Sequence, residues 1–207
     1  MEAEMSEKDQ PFPKMFFQLV AINVILVALA IIFYSGSGSD INEYFSYIGK
    51  LKTAEGTQNI ISMSIFSLEM IISGLILLLF SKRYHDKNHT PNSDIKSFCC
   101  LIAGIGFLMV GFFPDDIGHA THVMGIYLAV GFLWVLATNY LYESRKVIKP
   151  FLYYILQIPL QIAIFSYAFI YFLNMNPVSY VMQKIAIAWL CIVFLSTLFI
   201  KHKSCNP

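Results

Sequence analysis

Six long apolar segments, separated by short clusters of charge, make up most of this chain: Met15–Tyr34, Ile60–Phe80, Ser97–Phe113, Ala120–Leu141, Phe151–Leu173 and Val181–Ile200. A helix needs about 20 mostly apolar residues to cross a hydrocarbon core roughly 30 Å thick. Inside hydrocarbon the backbone must satisfy its own hydrogen bonds, which a helix does within one segment. The pattern therefore predicts an all-α fold, a six-helix transmembrane bundle. Hydrophobic residues make up 57% of the chain and charged residues 13%. Soluble domains carry about a quarter charged residues, so nothing is left over for a separate soluble domain. The first run is not a signal peptide on this reading. It is too long for an h-region, and Glu2, Glu4, Glu7 and Asp9 make its flank acidic.

Sidedness follows from lysine and arginine in short loops, which concentrate on the cytoplasmic side. With six spans, Lys8, Lys14, Lys82, Arg83, Lys87, Lys96, Arg145, Lys146, Lys149, Lys201 and Lys203 all fall on one side. The other side keeps Lys50, Lys52 and Lys184. Both termini are therefore expected in the cytoplasm, with a tail over residues 1–14, a membrane domain over 15–200 and a second tail over 201–207. On this topology the Asn88-His89-Thr90 sequon lies in the cytoplasm and goes unused. The expected location is the inner membrane of a prokaryotic cell, or the plasma or endolysosomal membrane of a eukaryotic one.

A net charge of +1 argues against nucleic acid as a partner, because that function needs a concentrated basic face. The four cysteines, Cys99, Cys100, Cys191 and Cys205, have neither metal-site nor disulfide spacing. Free thiols are expected.

Ser35–Asn59 is the longest connection and lies on the outer side. Apolar residues recur there at Ile41, Tyr44, Phe45, Ile48 and Leu51, a helical spacing. Asp40 with Glu43 resembles a capping box, and Gly49 can end the helix. A short interfacial helix in the headgroup region is expected, and a loop packed over the bundle mouth is compatible with it.

The candidate site lies in Phe113-Pro114-Asp115-Asp116-Ile117-Gly118-His119-Ala120-Thr121-His122. If the fourth helix begins near Asp116, then Asp115 with His119, and His119 with His122, stand at spacings that share a helix face. Asp115, His119 and His122 could then bind a divalent metal such as zinc, or transfer protons. Against that, Asp115 or Asp116 could simply cap the helix, with the histidines resting among headgroups and water. A lone H-x-x-H is a weaker metal signal than H-E-x-x-H.

Glu69 falls in the second span, roughly 13 Å deep at 1.5 Å per residue. A carboxylate there costs several kcal/mol unless it is protonated or paired. Its expected partners are His122, Asn139, Gln157, Gln161 or Tyr127, and the alternative is a neutral Glu69 simply hydrogen-bonded within the bundle. Gln157, Pro159 and Gln161 give the fifth span a polar, kinked character. Gly104, Gly106, Gly111 and Gly125 predict close helix packing, and Trp134 and Trp189 read as packing residues.

The run Gly104-Ile105-Gly106-Phe107-Leu108-Met109-Val110-Gly111-Phe112-Phe113-Pro114-Asp115, with His122 opening the next span and Phe45-Ser46-Tyr47-Ile48-Gly49 before the second, resembles a prokaryotic family of six-span membrane proteins of unknown function. It is more distantly similar to the eukaryotic DRAM/Frag/Sfk family, whose members usually have an outer-loop proline that this chain lacks. That resemblance implies a lipid-related role and does not imply a reaction. Three functions therefore compete. The first is a non-catalytic membrane protein that binds lipid, or a membrane protein partner, and modulates membrane composition. The second is a lipid hydrolase or transferase using Asp115, Asp116, His119, His122 and Glu69. The third is a small proton-coupled transporter using Glu69. The chain has no G-x-S-x-G, no H-E-x-x-H and no internal repeat, which favours the first.

Overall fold

The computed structural model describes residues 12–37, 45–86, 92–173 and 175–205. Six α-helices follow one another: α1 (Phe12–Ile32), α2 (Ile60–Asp86), α3 (Ser93–Phe112), α4 (His119–Ser144), α5 (Pro150–Phe172) and α6 (Asn176–Cys205). A 3-10 helix, Phe45–Gly49, lies in the first loop. Among the described residues there is no strand, only one isolated antiparallel bridge between Lys52 and Gln58. Five helices, α2 to α6, are long and apolar enough to cross a membrane, the qualifying part of α6 being Val178–Thr197. In α1 the described apolar stretch is the shorter Leu19–Ile32.

Several helices outlast their apolar runs. The second continues past Phe80 to Asp86 and carries Arg83 and His85 in its last turn, where positive charge complements the partial negative charge of the carbonyl end. The fifth opens on Pro150, whose missing N–H costs nothing in a first turn.

Consecutive helices run antiparallel, as facing residues show. Between α2 and α3, Ser81 lies opposite Ser97 and Gly74 opposite Gly104. Between α3 and α4, Gly106 lies opposite Gly125 and Phe98 against Phe132. The glycines do what their spacing predicts. A Cβ on Gly104 would lie 3.0 Å from the Gly74 carbonyl oxygen, and one on Gly106 would lie 2.5 Å from the Ala129 nitrogen. Backbone therefore packs on backbone along both faces of α3, the small-residue mode of membrane helices.

The main core joins Leu77, Phe80, Cys99, Leu136, Leu141, Leu160, Val193 and Phe194 from five helices. A smaller one, Ala30, Ile48, Phe66 and Val110, sits under the first loop. The outward faces stay apolar. Phe151 is 76% exposed, Phe169 64% and Phe172 83%. Soluble monomers rarely leave such contiguous apolar surface in water, and lipid solvates it without cost. The chain is a membrane-embedded helical protein.

The first loop is described over residues 35–37 and 45–59. Asp40 and Glu43, the proposed capping box, lie outside the described residues, as does the sequon at Asn88. What is described is a 3-10 turn with Ser46, Ile48 and Gly49 buried, so this part of the loop packs over the bundle. Asn59 holds it there. This fully buried side chain donates to the carbonyls of Ile48 and Lys50, each at 3.0 Å, and accepts from the Ser35 N–H. The Ser62 hydroxyl also reaches the Ile48 carbonyl. Gly49 rests directly on the Phe66 ring, where a side chain would collide.

Candidate functional site

The turn between α3 and α4 fixes the four candidate residues in different ways. Asp116 does not cap α4, which begins later, at His119, behind Gly118 and with no side-chain cap. Its two carboxylate oxygens instead accept the N–H groups of Leu51 and Lys52, at 3.1 and 3.0 Å. Asp116 is thus a clamp on the first loop. Asp115 faces His119, 2.7 Å from its Nδ1, and Lys50, 3.4 Å from its Nζ. The expected pairing of Asp115 with His119 is present.

His122 behaves otherwise. It is 1% exposed, whereas the side chain of His119 is 74% exposed. Its Nδ1 lies 2.8 Å from the Phe113 carbonyl oxygen. A carbonyl only accepts, so Nδ1 carries the proton, and in a neutral ring Nε2 is then the acceptor. That Nε2 is buried and has no hydrogen-bond partner among the described residues. Among those residues no group of three His, Cys, Asp or Glu side chains is arranged to hold a metal ion. Asp115, His119 and His122 therefore share a neighbourhood without forming the three-ligand set their spacing suggested. The physical reason is the Phe113 carbonyl, which turns the His122 ring inward while Asp115 keeps His119 at the surface.

The three residues line a small cavity of about 90 Å³ together with Tyr47, Tyr127, Tyr171 and Gln183, among others. Its walls come from α4, α5, α6 and the first loop. Tyr127 meets Tyr171 edge to face at 5.9 Å, and Tyr171 meets Tyr167 at 6.0 Å. Gln183 is anchored by accepting the Phe45 N–H, which leaves its amide protons for other acceptors. Beside this cavity lies a wider recess of about 440 Å³, lined by Tyr34, Lys50, Lys52 and Asp116 among others. Tyr47 belongs to both walls, and the Lys50 ammonium stands 3.2 Å above its ring, a cation–π contact. Helix α5 packs mainly on α6 and touches α4 little. The cavity therefore sits at the looser seam of the bundle.

Glu69 is buried, as a membrane carboxyl should be, but its neighbours are not those expected. Its hydrogen-bonding neighbour is Ser73, one turn along α2, and Ser73 Oγ accepts in turn from Asn23 of α1 at 2.8 Å. Its Oε2 has no partner among the described residues. The partners considered earlier are engaged elsewhere or stand alone. Gln161 accepts from the Trp134 indole and donates to Thr138, while Asn139 Oδ1 and Gln157 Oε1 have no partner among the described residues. Both tryptophans also do more than pack, since Trp189 donates to the Leu156 carbonyl across the α5–α6 contact.

No family model matches this chain, and no curated protein or solved structure matches it.

Sequence reasoning missed Asn59, Tyr171 and Gln183. No local motif marks them, because each acquires its role from a residue on another element.

Proposed function

We propose that this chain is a six-span membrane protein with cytoplasmic termini that binds a membrane lipid at its outer face and modulates membrane composition without catalysis. One observation carries the reading. A cavity at the loose seam between α4 and α5 joins four tyrosines to the apolar side chains of Val123 and Ile126 and the polar ones of Asp115, His119 and Gln183. Tyrosines suit the headgroup depth, since each joins an apolar ring to a polar tip. The more distant similarity to the eukaryotic DRAM/Frag/Sfk family, whose members have lipid-related roles, supports the same reading.

Filling the cavity tests the function. Val123 lines it, and Val123→Trp is expected to strip most co-purifying lipid detected by native mass spectrometry. Unchanged lipid retention in a folded variant overturns the reading.

Sidedness is tested by labelling in intact cells with a membrane-impermeant maleimide. Ser37→Cys should label strongly above the parent protein, and Asp86→Cys should not. Equal labelling of Asp86→Cys overturns the orientation.

A further inference from the structure

Glycine inside a helix costs up to about 1 kcal/mol against alanine, and in this bundle a facing helix usually takes the space it leaves. An added Cβ on Gly74, Gly104, Gly106, Gly111 or Gly125 would lie 3.0 Å or less from an atom of the helix opposite. Gly131 of α4 differs: no atom of the described chain comes within 4 Å of an added Cβ. Tyr127 and Trp134 stand four residues before it and three after it, on the same face of α4. Each meets a ring of α5, Tyr127 with Tyr171 at 5.9 Å and Trp134 with Phe165 at 5.3 Å. Ala168 lies midway between those two α5 rings, three residues from each, and is exposed. The two small residues leave a window in the seam where α4 and α5 touch little, framed by a ring pair at each end. The frame is about 10 Å tall, seven residues of helix at 1.5 Å each. Its outer pair, Tyr127 and Tyr171, also lines the cavity described above, so the window continues that cavity toward the bilayer.

We infer that one acyl chain of the bound lipid seats in this window, against Gly131 and Ala168 and between the two ring pairs, with the polar end of the lipid turned toward the cavity. The inference rests on the lipid-binding reading above and adds to it the place of the chain. A hydrocarbon chain matches walls made of rings and small residues, and it is thin enough to enter between the pairs. An α-helix, about 10–12 Å across with its side chains, would have to lie along the seam and displace both. Dispersion contacts with the rings hold the seated chain, so it stays with the protein while the surrounding lipid exchanges.

The full-length protein is reconstituted in dioleoyl phosphatidylcholine vesicles doped with phosphatidylcholine carrying a mid-chain diazirine, irradiated, and mapped by peptide mass spectrometry. The window segments, residues 124–135 and 161–172, are compared with the exposed faces of α2 and α3 around Leu75, Leu79 and Ile105. The window is expected to take about fivefold more label, equivalent to about 1 kcal/mol of preference. Gly131→Leu fills the window and should bring its label down to the level of the other faces, with an unchanged melting temperature as the check on folding. Ala168→Leu makes the same test from the opposite wall if Gly131→Leu fails to fold, and the wild-type map decides by itself if both fail. Label spread evenly over all exposed helices means surrounding lipid only and overturns the inference. A window label that survives in a folded Gly131→Leu or Ala168→Leu protein also overturns it. A wild type that is dimeric in native mass spectra and takes no label at the window has a second copy there, which overturns it too. Any of these results, with co-purifying lipid retained by the wild type and lost in Val123→Trp, leaves the lipid-binding reading standing. If no lipid co-purifies with the wild type, that reading falls and this inference falls with it.

Discussion

Replacing Gly106 by valine is expected to break the contact between α3 and α4 and to lower stability by about 3 kcal/mol or more, at the upper end of what overpacking costs. A Cβ at this position would approach the Ala129 nitrogen to 2.5 Å, the Gly125 carbonyl oxygen to 2.6 Å and the Leu128 Cβ to 2.9 Å. Two of these atoms are backbone and cannot rotate away, so the helices themselves must separate. Because Gly125 makes the reciprocal approach to the Gly106 carbonyl, the two substitutions should not add: once α3 and α4 have parted, the second side chain has room. Gly131, on the same helix as Gly125, has no neighbour within 4 Å of an added Cβ. Gly131→Ala should therefore leave the thermal unfolding midpoint in detergent unchanged or slightly raised, since alanine favours helix by up to about 1 kcal/mol. A Gly106→Val protein that melts with the wild type would show that the close approach does not hold the bundle together.

The second large effect is expected at the other end of the same helix pair. The Lys96 ammonium lies 2.7 Å from each Glu143 oxygen, with the lysine side chain 3% exposed and the glutamate 14%. The rings of Tyr140 and Tyr84 flank it at 5.2 and 5.8 Å, and those two tyrosines are hydrogen-bonded through their hydroxyls. Asn92 adds a further donor to Glu143. Forming such a pair returns little net energy, because desolvation offsets the attraction, but removing one partner strands the other. Lys96→Met should therefore cost about 3 kcal/mol. The double variant Lys96→Met with Glu143→Leu should recover most of that loss. Denaturant unfolding of both single variants and the double variant gives the coupling directly. Additive losses would mean that the pair does not act as a unit.

Much of the architecture was legible in the residues alone. Six helices stand where the six apolar runs stand, and five of them, α2 to α6, are long and apolar enough to cross a membrane, because the free energy of burying an apolar segment in lipid depends on composition and length, which are properties of the segment itself. The glycines of α3 announced close packing for a similar reason, since a missing side chain permits approach whichever helix arrives. The Asp115–His119 contact was also readable, being four residues apart and local.

The tertiary structure decided which groups meet across the bundle. His122 and His119 lie three residues apart in sequence, yet one is buried and the other is solvated, because the Phe113 carbonyl captures one imidazole. Asp116 serves a loop 65 residues upstream, and Gln183 meets Phe45 across 138 residues. Glu69 found Ser73 within its own helix and, through it, Asn23 on α1, not the polar groups of α4 and α5. Hydropathy specifies that a helix crosses and leaves its rotation about its own axis open. That rotation is set by packing against neighbours far away in the chain, so the membership of the cavity existed only once the helices had assembled.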